Sequence, residues 1–137
     1  PGRATPERMQ PVAANWLGQH DFAAAHNRAR SQAEHTIRTL TRSEVRLGPG
    51  GLAEYIVSGP GFLTHQVRIL AGTLAAVAQG RFDLHDVQRA MLSRDRQRLG
   101  PTAPAHGLTL ERIHIPPADW ADPWPVADPN TAVTPAD

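Results

Sequence analysis

An arginine set in an apolar segment is the residue of this chain best suited to chemistry. Arg68 closes the block Gly61-Phe62-Leu63-Thr64-His65-Gln66-Val67-Arg68, which opens an apolar helical run. A charge withdrawn from water needs a partner, because an unpaired buried charge is costly. A functional partner would meet that need. So would solvent or a nearby acid, and the residue alone does not choose between them. Helical spacing puts His65 and Gly72 near its face, away from Leu63, Leu70 and Leu74.

A second block follows at a fixed separation. Arg94-Asp95-Arg96 precedes Gly100-Pro101-Thr102-Ala103-Pro104-Ala105-His106-Gly107-Leu108. Two prolines restrict this loop, and Gly107 permits backbone to approach a ligand closely. Read alone, the loop serves equally as a rigid connector. Arg89, Arg94, Arg96 and Arg98 cluster on and after one helix. They suit phosphate contacts, a helix-turn-helix reader of DNA, or a solvated helix face. No two of the seven histidines stand four apart on a helix, so the metalloprotease-type spacing is missing and no metal is expected.

Composition narrows the classes. A chain of 137 residues allows one domain. There is no cysteine, which excludes disulfides and thiolate metal sites. No apolar run reaches the roughly 18 residues of a membrane span. All 14 basic residues are arginine, whose planar fork of donors fits phosphate and stacks on bases, although the net charge is only +1. A GC-rich coding sequence produces the same bias. The chain opens on Pro1 rather than Met, so residues removed upstream, or a longer parent protein, are expected.

The elements that must position these groups read as helix, strand, strand, helix, helix, strand. Thr5 as N-cap and Pro6 at the first helical position start a helix carrying Met9, Val12, Ala13, Trp16 and Leu17, with Gly18 as its stop. Asp21 to His26 reads as a short turn of helix or a loop. Thr36 to Leu47 is rich in β-branched residues and reads as one strand. Gly48-Pro49-Gly50-Gly51 signals a turn into a second strand over 52–58, giving an antiparallel hairpin.

A long helix is predicted over 62–79, with Leu63, Val67, Leu70, Leu74 and Val77 as its buried stripe and Gly80 as its end. Asp83 and Asp86 form a capping-box pattern for the next helix, whose apolar face is Val87, Ala90 and Met91. A third strand is predicted over 108–115. Residues 116–137 hold six prolines and read as an extended or disordered tail, leaving 1–115 as the domain. The fold class is α+β: a small antiparallel sheet of about three strands with helices packed on one face and at least one open edge.

The two chemical blocks resemble the C-terminal half of the tRNA pseudouridine synthase A family. Leu17-Gly18-Gln19-His20-Asp21-Phe22, Ile37-Arg38-Thr39-Leu40 and Arg94-Asp95-Arg96 extend the resemblance over about residues 7–115, in the family's order. Gln66 stands where the family commonly has methionine. The resemblance implies half of a two-domain pseudouridine synthase fold. It also implies a cytoplasmic isomerase that converts uridine to pseudouridine in the tRNA anticodon arm without a cofactor. Arg68 then pairs with the catalytic aspartate and keeps it ionised as a nucleophile. That aspartate belongs to an N-terminal half, and none of the eight aspartates here sits in the family's Arg-Thr-Asp-x-Gly setting. His65, Pro104, Gly107 and Leu108 then border the flipped base, and Arg38, Arg94 and Arg96 contact tRNA. The partners implied are tRNA, the N-terminal half and, in the full-length protein, a second copy. The chain alone is expected to be inactive; the alternative is a stand-alone RNA-binding module derived from such a domain.

Overall fold

The computed structural model describes residues 6–27 and 35–109. Thr5, the third strand beyond Thr109 and the tail with Trp120 and Trp124 lie outside the described residues. The chain divides into two compact units at Ala103–Pro104.

In the first unit, helix α1 (Pro6–Asn15) is followed by β1 (Gly18–Asp21), β2 (Ile37–Leu40), β3 (Arg42–Leu47), β4 (Ala53–Ser58), α2 (Gln66–Ala78) and α3 (Leu84–Ser93). The class is α+β, as expected. The strands, however, form two antiparallel pairs, β1 with β2 and β3 with β4, where the sequence suggested one sheet of about three. Two readings account for the difference. Gly18 does not stop a helix into a loop; with φ of 92° it turns the chain into β1. And the stretch read as one strand is two, divided at Thr41.

The division at Thr41 has a visible consequence. Leu40 is buried on β2, whereas Ser43 and Val45 are the buried residues of β3. The inward-facing parity switches from even to odd across Thr41. One continuous strand cannot do this, because its side chains alternate strictly. Thr41 N–H donates to Ser58 O (2.8 Å), a backbone link from the junction to the end of β4. Gly59 lets the same corner close: a Cβ there would lie 2.6 Å from Thr39 O.

The β3–β4 hairpin turns through Pro49–Gly51, where Gly50 and Gly51 take φ of 73° and 76°. Helix α1 lies against β3. Ser43 Oγ donates its only proton to Ala13 O (2.7 Å), so the Tyr55 hydroxyl must donate to Ser43 Oγ (2.8 Å). Trp16 and Tyr55 pack in a T-shaped arrangement with 6.2 Å between ring centroids. The core gathers Val12, Trp16, Phe22, Leu40, Ile69, Leu70, Leu74 and Val87. The outward face of β3 carries Arg42, Glu44 and Arg46, with surface pairs Arg42–Glu44 and Arg46–Glu54.

Helix α2 starts at Gln66, later than its apolar pattern suggests, because His65 takes a left-handed conformation (φ 62°) that ends the preceding turn. The buried face also differs from the predicted stripe. Gln66, Ile69, Leu70, Thr73, Leu74 and Val77 are buried, Val67 is only half-buried, and Leu63 is buried in the turn before the helix. Gln66 Oε1 accepts from Leu63 N–H (2.8 Å) and fastens that turn.

Helix α3 begins as its sequence dictates. Asp83 accepts from Asp86 N–H (2.8 Å), and Asp86 accepts from Asp83 N–H (3.0 Å), completing the capping box. Asp83→Ala is expected to lower stability by about 1 kcal/mol, read as a shift of the urea midpoint at constant slope. The Asp86 carboxyl is held below its ordinary range by the Asp83 backbone N–H and by Arg89. Its support for the helix is therefore complete above the unfolded value of about 4 and is lost as pH falls through the lowered folded value.

Candidate functional site

The site is built where the first turn of α2 meets the loop after α3. Arg68, on that first turn, is half-buried and donates from Nε to Ala103 O (2.8 Å). Ala103 N–H donates back to Arg68 O (2.9 Å). The residue is thus bound to the loop at both its main chain and its side chain. The ion pairs among the described residues do not include Arg68.

Two glycines let the loop lie this close. A Cβ on Gly72 would fall 1.6 Å from Pro101 O, and a Cβ on Gly100 would fall 2.7 Å from Gly72 O and from Thr73 Cα. Thr73 then joins helix to loop: its hydroxyl donates to Ile69 O (2.8 Å) and accepts from Gly100 N–H (3.0 Å). Arg96 closes the loop from the other direction, donating from Nη1 to Gly100 O (2.8 Å) and from Nη2 to Thr102 Oγ1 (3.1 Å). Burial, which disfavours the charged form, pushes the pKa of its guanidinium below the ordinary arginine value.

His65 sits at the mouth of α2 and pairs its Nδ1 with the Asn27 side-chain amide (3.0 Å). An amide N–H donates there, so that ring nitrogen is the acceptor and any ring proton sits on Nε2. Asn27 N–H also donates to Thr64 O (3.1 Å). Asn27, His26, Arg94, Arg96, Gln97 and Thr102 help line an open cleft of about 590 Å³. Arg68 is not among its lining residues; the two meet through the loop that carries Thr102 and Ala103.

The remaining predicted residues are placed as follows. Arg94 has a left-handed conformation at the end of α3 and an ion pair from Nε to Asp21 Oδ2 (3.2 Å). Asp21 also accepts at Oδ1 from Ala23 N–H (3.0 Å), so the pair ties α3 to the end of β1. Arg38, on β2, donates from Nη1 to Ile37 O (2.8 Å) and His35 O (3.2 Å). In the second unit, Pro104 precedes a single 3₁₀ turn, Ala105–Gly107, closed by Leu108 N–H to Ala105 O (2.9 Å). Leu108 is 51% exposed, and neither it nor Thr109 is in a strand.

Sequence reasoning passed over Asn27, Thr73 and Thr102, whose importance lies in contacts across the chain. A signal existed for the neighbouring Gly72. Glycine inside an apolar helix is unfavourable, so it marks a close approach of backbone.

Comparison with known proteins places the chain in a family. A family model described as tRNA pseudouridine synthase matches residues 12–116. The tRNA pseudouridine synthase A of Myxococcus xanthus is 42% identical over 115 residues, covering 82% of this chain and 43% of that protein. The tRNA pseudouridine synthase A of Staphylococcus aureus (strain JH1) is 37% identical over 109 residues, covering 80% of this chain and 40% of that protein. The chain spans about two fifths of the length of these relatives. It belongs to the tRNA pseudouridine synthase family.

Proposed function

We propose that the chain is the C-terminal domain of a tRNA pseudouridine synthase, an isomerase acting on uridine in the anticodon arm. It supplies one wall of the catalytic cleft and part of the tRNA surface, and the other part of the enzyme supplies the nucleophilic aspartate. The observation that carries this reading is Arg68: a half-buried guanidinium anchored through Nε, with no ion pair among the described residues. A cation so held favours an incoming carboxylate and lowers its proton affinity. The aspartate would then attack an extruded uridine as a carboxylate; the base detaches, turns and rejoins through carbon.

His65 is assigned to the target base, as are Pro104, Gly107 and Leu108 on the family resemblance. Arg38, Arg94 and Arg96 are assigned to tRNA phosphates through donors not already committed, with salt-sensitive affinity. Each described strand has one strand partner, so free edges exist among the described residues for the rest of the enzyme to pair with. A second copy is the further partner. No helix among the described residues is long and apolar enough to cross a membrane. The setting proposed is the cytoplasm, where tRNA is modified.

The experiment is turnover on unmodified tRNA. The chain alone is expected to bind tRNA without forming pseudouridine, and addition of an N-terminal half bearing an Arg-Thr-Asp-x-Gly segment is expected to produce it. Turnover by the chain alone would refute the division of labour. Binding with no turnover in the combined sample would leave an RNA-binding module instead.

A further inference from the structure

We infer that Arg96 is a positioning residue for Arg68, acting through the Gly100–Ala103 strap. The strap is held on α2 by Gly100 N–H to Thr73 Oγ1 and by Ala103 N–H to Arg68 O. On its other side, Arg96 grips Gly100 O and Thr102 Oγ1 with two nitrogens of one rigid plane. The next residue, Ala103, presents the carbonyl that receives Arg68 Nε–H. A displacement of Thr102 therefore reaches the Arg68 guanidinium through one peptide unit.

Arg94 provides the contrast within the same segment. Its side chain is 58% exposed and pairs with a carboxylate. Arg96 is more buried, has no ion pair among the described residues and commits two donors to neutral oxygens of the strap. These two donors set the loop in place, and only the remaining ones are left for a phosphate. Lysine cannot reproduce this grip, because an ammonium offers no planar fork to span two acceptors. What the fixed Arg68 does to a carboxylate rests on the proposed function; the link from Arg96 to Arg68 does not.

The test uses the ¹⁵N-labelled 137-residue chain without tRNA. The Nε–H resonance of Arg68 is assigned by its loss in Arg68→Lys, and its exchange with solvent is measured. In the unmodified chain it is expected to be protected. In Arg96→Lys and Arg96→Ala it is expected to exchange about tenfold faster or more, while amide signals of α1 and the β3–β4 hairpin stay in place. Thr102→Val removes only one acceptor and is expected to give a smaller change in the same direction. It also decides the matter if Arg96→Ala does not fold. An unchanged Arg68 Nε–H in folded Arg96→Lys or in Thr102→Val would overturn the inference. tRNA binding by the same samples is a separate readout. A chain that loses Arg68 protection on substitution of Arg96, yet never binds tRNA, keeps the mechanical link and loses the synthase reading.

Discussion

Gly72→Ala is expected to destabilise the first unit by about 3 kcal/mol, the net of two opposed effects. Alanine is the better helix former by roughly 0.8–1.0 kcal/mol, and in an exposed helix the substitution would stabilise. Here the added methyl falls 1.6 Å from Pro101 O, a backbone atom, so neither a rotamer change nor a small shift relieves it. The helix cannot retreat, because Ile69, Leu70 and Leu74 are buried on the adjacent turns. The strap must lift instead. Lifting costs the Gly100–Thr73 bond and both bonds between Ala103 and Arg68. Overpacking costs about 1–3 kcal/mol, and each lost bond a further 0.5–1.5 or so. These losses exceed the helix-propensity gain. Urea denaturation of the two chains measures the difference, and equal or higher stability in Gly72→Ala would show that the strap does not lie on the helix as described.

The same contact shows where a sequence is readable and where it is not. Local rules wrote α3: Asp83 and Asp86 three residues apart announce a capping box, and both halves of it form. They also wrote the hairpin, because Gly48 to Gly51 admits few conformations other than a turn. Strand β1 left no such mark. Gly-Gln-His-Asp has no apolar alternation, and it becomes a strand only because β2 pairs with its backbone. The break at Thr41 was legible only as an imperfect pattern, since two short strands with opposite parity mimic one irregular strand. The late start of α2 depends on the left-handed backbone of His65, a conformation uncommon for non-glycine residues and invisible to periodicity.

The candidate site divides in the same way. Arg68 could be singled out because a charge in an apolar run is locally anomalous. Arg96 could not be distinguished from Arg94, although one grips a loop and the other pairs with Asp21. The two arginines differ in what lies beside them, and that depends on how far Gly72 and Gly100 let the strap descend. Sequence spacing carries no information about such a distance. The expectation of a pocket bordered by this loop rested on family likeness alone.

Removing the guanidinium itself should have the largest effect on catalysis. On the proposed function, with an aspartate-bearing half completing the enzyme, Arg68→Ala is expected to lower kcat for pseudouridine formation by about 10³-fold, in the range found when a preorganised charge-stabilising donor is deleted. That corresponds to roughly 4 kcal/mol of lost transition-state stabilisation. Affinity for tRNA should change by only about threefold, because backbone neutralisation is spread over many phosphate contacts and this residue is one cation among several. Arg68→Lys separates charge from placement. Lysine keeps the charge but has no Nε–H to give Ala103 O, so the cation is no longer fixed at the loop. An intermediate loss, about 10²-fold in kcat, is expected if orientation matters beyond charge. Single-turnover rates at saturating enzyme read the chemical step apart from binding. Full activity in Arg68→Lys would mean that any positive charge on this turn suffices, and full activity in Arg68→Ala would remove Arg68 from the reaction altogether.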